Sequence, residues 1–182
     1  MKIVLVSHGW PLENMGGVGL YVKNKALALH RMGHQVCVLA PIYGSSFDLS
    51  ISKQEWGYSW LLLTPRPHNW RQIWSKPMQR KYIVSKIHEW SPDVIHIHHL
   101  NGIDLDVWSS LHRNIVRILT LHDYALICPR GQLFSLTNGI CSGPTPSKCS
   151  SCISAQFHLN PMSAFIGKQL LKLPWIRNKI RS

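Results

Sequence analysis

Apolar residues in the first forty positions form two short continuous runs that flank a stretch with helical spacing. Lys2–Val6 and Gln35–Ala40 are almost entirely apolar, as expected for strands buried on both faces of a parallel sheet. Between them, Val18–Met32 places its apolar residues near one face of a helix, and Gly33 provides a stop signal. The segment therefore predicts a βαβ unit.

The alternation of strand and helix continues along the chain. Further strands are predicted at Ser59–Leu63, Val94–Ile97 and Ile115–Leu121, and helices at Lys76–Trp90 and Asp104–Leu111. The strand at Ile115–Leu121 is expected to be a buried apolar run. The order predicts an α/β fold with a doubly wound, Rossmann-like parallel sheet. Ligands bind beyond the carboxyl ends of such strands, so the loops Ser7–Gly19, His96–Gly102 and His122–Arg130 are expected to converge.

The remainder of the chain lacks strand periodicity. Gly131–Cys152 is rich in Gly, Pro, Ser and Cys, and is predicted to be a loop insertion. Asn160–Leu173 predicts a basic amphipathic helix, which can lie in a membrane interface or pack on the sheet or on a second domain. Ile3–Val6 is too short for a signal peptide. We therefore expect a cytoplasmic protein, with peripheral contact at the inner membrane face as an option.

Charge is distributed unevenly along the chain. The net charge is +12, and all eight acidic residues lie at or before Asp123. A basic end can attract phosphates, nucleic acid or anionic lipid, and it is equally consistent with an ordinary solvated surface.

A glycine-rich step, Gly16-Gly17-Val18-Gly19, precedes the first helix. Glycines there allow the backbone to approach a phosphate at a helix N-terminus, although a purely structural turn has the same composition. The step is not the dinucleotide fingerprint, because about nine residues separate it from the first strand. A nucleotide-dependent oxidoreductase is therefore disfavoured.

Four of the five cysteines form the pattern C-x12-C-x7-C-x2-C, comprising Cys128, Cys141, Cys149 and Cys152. Four thiolates can close a structural zinc site, which is the favoured interpretation in a reducing compartment. Free thiols and disulfides stay open as alternatives. Cys37 lies in a predicted buried strand and is expected to be a core residue.

These motifs together resemble a known family. The similarity rests on the ordered series Gly16-Gly17, Leu27-Ala28, Gly33-His34-Gln35-Val36, Pro92-Asp93-Val94-Ile95-His96-Ile97-His98 and His122-Asp123-Tyr124. In order and spacing, the series resembles the N-terminal half of family-4 retaining glycosyltransferases of the GT-B fold. The resemblance covers nearly the whole chain, and the Cys-Pro-Arg-Gly step is similar to one subset of the family.

The resemblance implies roles for particular residues. In such enzymes two Rossmann-like domains face each other across a cleft, and the N-terminal one mainly receives the acceptor. By resemblance, Gly16 and Gly17 would approach the donor diphosphate. His122 would lie beside the transferred sugar with Asp123 orienting it, and Glu13 would lie in the acceptor loop. The further candidates for substrate binding are His98, Tyr124 and Arg130.

The expected function follows from this resemblance. Residues 1–182 are interpreted as the N-terminal domain of a hexosyltransferase of polysaccharide or glycolipid biosynthesis, with a Cys-rich insertion over residues 128–152. The donor-binding domain is expected to be absent, as in a truncated gene product, an N-terminal fragment or one half of a split enzyme, so the chain alone should be inactive.

The expected partners follow too. A nucleotide-sugar is the co-substrate, a glycan or lipid-linked sugar the acceptor, and a donor-binding domain in a longer or separate chain the missing half; no catalytic metal is expected. The alternative is a zinc-stabilised nucleic-acid-binding module. It is disfavoured because a small zinc domain needs no multi-stranded core, and nucleic acid is not an expected partner.

Overall fold

The structure is a computed structural model that describes residues 1–9, 16–44, 48–65, 76–128, 130–135 and 139–156. Its strands are β1 Lys2–Val6, β2 Gln35–Gly44, β3 Asp48–Gln54, β4 Gly57–Pro65, β5 Val94–Ile97, β6 Val116–Leu119, β7 Phe134–Ser135 and β8 Gly139–Ile140. Its helices are α1 Gly17–Arg31, α2 Pro77–Trp90 and α3 Pro146–Gln156, with a 3-10 turn at Leu105–Val107. The chain divides into two compact units, Met1–His122 and Asp123–Ser182, called here the first and second units.

The first unit contains a six-stranded sheet with the order β3-β4-β2-β1-β5-β6. Neighbouring strands are parallel except for the edge pair β3 and β4, which is antiparallel. From β1 the chain moves outward through β2 to β4, then returns to place β5 on the opposite side of β1. This arrangement confirms the predicted doubly wound, Rossmann-like α/β fold, and it is consistent with one half of a GT-B fold.

Two apolar layers cover the two faces of this sheet, because successive side chains of a strand point to opposite faces. Val4 and Val6 pack in the layer that contains Ile83 and Ile87 of α2. Ile3 and Leu5 pack in the other layer, whose helical residues from α1 are Val22 and Ala26. The side chains of β1 are therefore divided between both layers, as predicted for a strand buried on two sides.

Several helix and strand predictions are confirmed. β1 and β5 have the predicted bounds, and β2, β4, α1 and α2 match with shifted ends. The stop at Gly33 is confirmed, since it adopts a φ of 83° and its N–H donates to the carbonyl of His30. That left-handed conformation is accessible to glycine at little cost.

Other predictions are wrong in part. β3 was not predicted, because its alternating polar residues resemble a loop rather than a buried strand. β6 forms, but all four of its residues are exposed, so it is not the buried run that its composition predicts. The predicted helix at Asp104–Leu111 reduces to the 3-10 turn. Gly131–Cys152 is not only a loop, since it contains the β7–β8 hairpin and the start of α3.

A buried polar network attaches the segment after β5 to the start of α2. The carboxylate of Asp104 is fully buried, and it accepts from the backbone N–H groups of Lys76 and Asp106. Gln79 accepts from the N–H of Asp104 at 2.7 Å and donates to the carbonyl of Gly102 at 2.9 Å. These bonds fix the chain that leaves the carboxyl end of β5.

The predicted amphipathic helix Asn160–Leu173 lies outside the described residues. Within the ranges given above, no helix is long and apolar enough to cross a membrane.

Candidate active site

The central strands β1 and β5 bring two loops together at the carboxyl edge of the sheet. They are parallel neighbours, but the strand that follows β1 lies on one side of the pair and the strand that follows β5 lies on the other. The carboxyl edge between β1 and β5 is therefore the switch point at which such folds bind ligands. His8 follows β1 and His99 follows β5, and their ring centroids are 4.4 Å apart. The predicted convergence of these two loops is confirmed.

Two further histidines lie on one side of β5. His96 and His98 are two residues apart, so they share one face of the strand, and their rings stack with centroids 4.2 Å apart. Both side chains are buried. His96 Nε2 lies 2.7 Å from the hydroxyl of Thr120, just beyond β6. The hydroxyl holds the His96 ring, and this ring in turn supports that of His98.

His98 contacts His122, the residue that ends the first unit. Nδ1 of His98 and Nε2 of His122 are 3.1 Å apart, within hydrogen-bonding distance. The ring of Tyr21 lies 5.3 Å from His98 and 5.1 Å from His122, measured between centroids. Two residues predicted for the site, His98 and His122, are thus direct partners, and an aromatic ring of α1 contacts both.

His98 is neutral at physiological pH. Burial first, and then the charges of His96, His122 and Lys25, together lower its pKa to about 3. Burial likewise lowers the pKa of His96, again with contributions from Lys25 and His122. Loss of solvation penalises the imidazolium form, and nearby positive charge adds to that penalty.

The bond between these rings allows a tautomer assignment. A neutral His98 carries one proton, and its Nε2 is buried without a hydrogen-bond partner among the described residues. A buried N–H without an acceptor is rarer than a bare acceptor atom. We therefore assign the proton to Nδ1 of His98, which donates to Nε2 of His122. A neutral His122 then carries its own proton on Nδ1.

Sequence reasoning missed two residues of α1 beside these rings. Tyr21 contacts both histidines, and Lys25 Nζ lies 5.7 Å from the centroid of the Tyr21 ring. Gly17, Tyr21 and Lys25 are spaced four residues apart, so they follow one stripe of the helix. That stripe, together with the glycine step at its start, was the available signal.

Gly16 and Gly17 form the N-terminus of α1, as predicted, and both are exposed. A Cβ built on either residue meets no atom within 4 Å among the described residues, and the φ of Gly16 is an ordinary −69°. Neither packing nor backbone conformation within the described chain requires a glycine at these positions. Open space for a ligand at a helix N-terminus is compatible with the predicted diphosphate role. Glu13 lies outside the described residues.

The remaining polar candidates belong to the second unit. Asp123 is exposed, and its Oδ1 accepts from the N–H of Ala125 at 2.8 Å. Tyr124 is exposed, while its N–H donates to Gly131 at 3.0 Å and its carbonyl accepts from Cys128 at 2.7 Å. Arg130 donates to the carbonyl of Phe134 at 2.6 Å. These bonds build a turn, and the substrate roles of the three residues stay predictions.

All five cysteines have free thiols. Cys37 is a buried core residue, as predicted, and burial raises the pKa of its thiol. The other four line one cavity of about 490 Å³ in the second unit. Burial raises the pKa of Cys128, but backbone hydrogen bonds from Leu133 and the residues before it outweigh that effect and lower it.

The described side chains are not arranged to coordinate a metal ion. Among the described residues, no three His, Cys, Asp or Glu side chains are gathered closely enough to hold a metal ion. This holds for the histidines of the switch point as well as for the cysteines. Zinc binding by the cysteines therefore stays a prediction.

Comparison with known proteins identifies the chain at the level of a family. A sequence model described as Glycosyltransferase Family 4 matches residues 15–139. The match extends from the glycine step through the histidines of β5 to His122, and on into the second unit. No curated protein matches the chain. Because the match covers more than half of the sequence, and the Rossmann-like sheet agrees with it, the chain belongs to Glycosyltransferase Family 4, with a domain of the N-terminal type.

Proposed function

We propose that this chain forms the acceptor-side half of a retaining glycosyltransferase of the GT-B fold. The complete enzyme, with a donor-binding half, moves a hexosyl unit from a nucleotide-sugar to a glycan or lipid-linked acceptor, as in the synthesis of surface polysaccharides. Family membership supports glycosyl transfer in general. The observation that carries the finer proposal is His122, held against His98 and Tyr21 at the switch point of the sheet.

The chemistry of a retaining transfer matches these groups. The bond between the anomeric carbon and the donor phosphate breaks, and the acceptor oxygen bonds to that carbon on the same face. The nucleoside diphosphate leaves, and the acceptor hydroxyl loses its proton. The protein must hold the sugar in place and balance the charge of the leaving diphosphate.

The described residues can supply part of each requirement. With Nε2 accepting from His98, His122 can direct Nδ1–H toward a sugar oxygen. The open backbone at Gly16 and Gly17 gives a diphosphate access to the N-terminus of α1, and Lys25 adds positive charge along the same helix. Asp123, the next residue, is proposed to orient His122 through the backbone, by the turn that its Oδ1 forms with the N–H of Ala125.

We also propose that a donor-binding domain, in a longer or separate chain, completes the site. Imidazoles, backbone amides and Lys25 are the groups that the first unit offers in its described part. A nucleotide-sugar needs to be enclosed on both sides before its leaving group can be stabilised in a water-poor site. The 182 residues alone are therefore expected to bind donors weakly and to release no nucleoside diphosphate from them.

The binding part of the proposal can be tested by NMR titration with UDP-, GDP- and dTDP-sugars. The amide resonances of Gly16 and Gly17 and the imidazole of His122 should shift together. His122→Ala should weaken binding about tenfold, the size of one lost hydrogen bond to a polar ligand. The matched control is His30→Ala, at an exposed position of α1, which should not change affinity.

Two outcomes would contradict these proposals separately. Titration shifts that avoid both the glycines and His122, for every donor, would overturn the site. Robust release of nucleoside diphosphate by the 182 residues alone would overturn the need for a second domain while leaving the site intact.

A lipid-linked acceptor would bring the protein to the cytoplasmic face of the inner membrane as a peripheral protein. Co-sedimentation with anionic vesicles at low salt, and its loss at high salt, would support this location. Salt-sensitive binding of arbitrary DNA at similar affinity would instead favour the nucleic-acid-binding alternative. The six-stranded sheet argues against that alternative, because its apolar layers do not depend on zinc.

A further inference from the structure

The cysteines of the second unit converge although three separate segments carry them. Cys128 follows the turn that begins at Asp123, Cys141 follows β8, and Cys149 and Cys152 lie on α3. All four line the same cavity of about 490 Å³. Cys149 and Cys152 are three residues apart on a helix, so their side chains share one face. The fold therefore collects every cysteine outside the core at one place.

The chain turns tightly at Cys128, and a cation lies beside the cysteines. The N–H of Cys128 donates to the carbonyl of Tyr124 at 2.7 Å, and its carbonyl accepts from the N–H of Gly131 at 2.8 Å. Arg130 also places Nη1 at 3.7 Å from the sulfur of Cys152.

The hairpin fixes Cys141 on the same cavity. Its backbone N–H donates to the carbonyl of Leu133 at 2.8 Å, which ties it to the segment that follows Cys128. Its thiol reaches the carbonyl of Gly143 at 3.4 Å. The backbone positions of Cys128 and Cys141 are thus linked by a short hydrogen-bonded path.

The described part of this unit has no apolar core. From residue 123 to residue 153, no described side chain is buried. Several large apolar side chains are exposed instead, namely Leu126, Ile127, Phe134 and Ile140. Small units that cannot build an apolar core are commonly stabilised by disulfides or by a structural metal.

We propose that Cys128, Cys141, Cys149 and Cys152 bind one zinc ion as a tetrahedral structural site. Binding requires the segments that carry the cysteines to move until the sulfurs lie about 2.3 Å from the metal, because they are not gathered that closely in the structure. Each thiol that becomes a ligand loses one proton to solvent, so Zn²⁺ replaces up to four protons with no change in oxidation state. Arg130 offsets part of the resulting negative charge.

The direct test is the metal content of the whole chain. We expect about one zinc ion per chain after expression in zinc-supplemented medium and purification without chelators. Replacement by Co²⁺ should give the intense visible absorption of a tetrahedral thiolate site. A zinc content near zero, together with five titratable thiols in denaturant, would overturn the proposal. Disulfides found by mass spectrometry in protein prepared under reducing conditions would also overturn it.

Variants locate the site. Cys152→Ser should lower metal content several-fold and abolish the cobalt spectrum, whereas Cys37→Ala, in the sheet core, should leave the cobalt spectrum and the metal-to-protein ratio unchanged.

Limited proteolysis gives a readout that does not depend on any variant folding. Removing the metal by chelation should increase cleavage within residues 123–156 several-fold and leave β1 to β6 protected. Equal protection with and without metal would contradict a structural role.

Discussion

The two units of the chain are stabilised by different means. The first has two apolar layers that cover both faces of a six-stranded sheet. The second, in its described part from residue 123 to residue 153, has no buried side chain, and relies on turn hydrogen bonds, a two-stranded hairpin and the short helix α3. The difference separates a unit with an apolar core from a segment whose described part lacks one.

The contrast also assigns the candidate residues to environments of unequal rigidity. His98 and the ring of His122 are held by contacts with β5 and α1 in the first unit. Asp123, the next residue, begins the second unit and makes a local turn. Substitutions in the two units should therefore have very different effects on stability, even where the side chains are chemically the same.

The largest effect is expected for a matched isoleucine pair. Ile95 is fully buried in the sheet, so Ile95→Ala should lower the free energy of unfolding of the first unit by about 3 to 4 kcal/mol. Ile140 in β8 is 88% exposed, and Ile140→Ala should change stability by less than about 0.5 kcal/mol. Urea unfolding measures both. Similar costs for the two variants would remove the contrast between the units.

A matched aspartate pair should give the next largest effect. Asp104→Ala leaves the N–H groups of Lys76 and Asp106 without their buried acceptor and removes the charge beside Arg80. We expect a loss of about 3 kcal/mol. Asp123→Ala removes one exposed turn bond and should cost about 0.5 to 1 kcal/mol. Thermal unfolding that ranks Asp123→Ala above Asp104→Ala would contradict the assignment of the buried network.

Acidification should destabilise the first unit through His98. The folded state keeps this imidazole neutral down to a pKa of about 3, whereas in the unfolded chain it takes a proton near its ordinary pKa of 6.5. Its contribution is present above pH 6.5 and is lost as the pH falls toward 3. Between pH 7 and pH 5 the loss is about 2 kcal/mol.

Urea titrations at the two pH values measure this loss. His98→Asn should reduce the difference by about 2 kcal/mol, because Asn does not titrate in this range and His96 keeps its own smaller contribution. His30→Asn, at an exposed position of α1, should leave it unchanged. A pH dependence that persists undiminished in His98→Asn would assign the effect to other groups.

The smallest effect on stability is expected for variants that change the hydrogen bond between His98 and His122. Their effect is instead on the tautomer of His122. Long-range nitrogen–proton NMR should show neutral His122 protonated on Nδ1, because Nε2 accepts from His98. His98→Asn can still donate from its amide and should retain that tautomer. His98→Phe cannot donate and should yield a mixture. A wild-type His122 protonated on Nε2 would refute the assigned direction of the bond.

Much of the fold could be predicted because buried parallel strands have a distinctive composition. β1 and β5 are short runs in which all residues but one are apolar, since both faces of the sheet are covered. No residue of β3 is buried, its sequence is largely polar, and it pairs with β4 at the edge of the sheet, so its composition resembles that of a loop. The exposure of β6 could not be predicted either, because burial depends on what packs over a strand rather than on its own residues.

The sequence was enough to predict which residues lie at the same edge of the sheet, but not which of them are in contact. His98 and His122 each follow a parallel strand, and strand order alone places them at one edge. The 3.1 Å contact and the neutral state of His98 depend on depth of burial, which a motif does not encode. Tyr21 and Lys25 were not predicted to be part of the site, because helical residues beside a site have the same spacing as residues on any solvent-exposed face of a helix.

The exposed edge strand β6 has a consequence for handling the protein. It ends the sheet opposite β3, and its Val116, Ile118 and Leu119 are each more than 40% exposed. No described strand pairs with its outer edge, and an apolar edge with unpaired backbone groups is a template for strand addition by another chain. At the high concentrations used for spectroscopy, self-association should therefore begin at β6. Replacing Ile118 with lysine is the most direct way to keep the protein in solution.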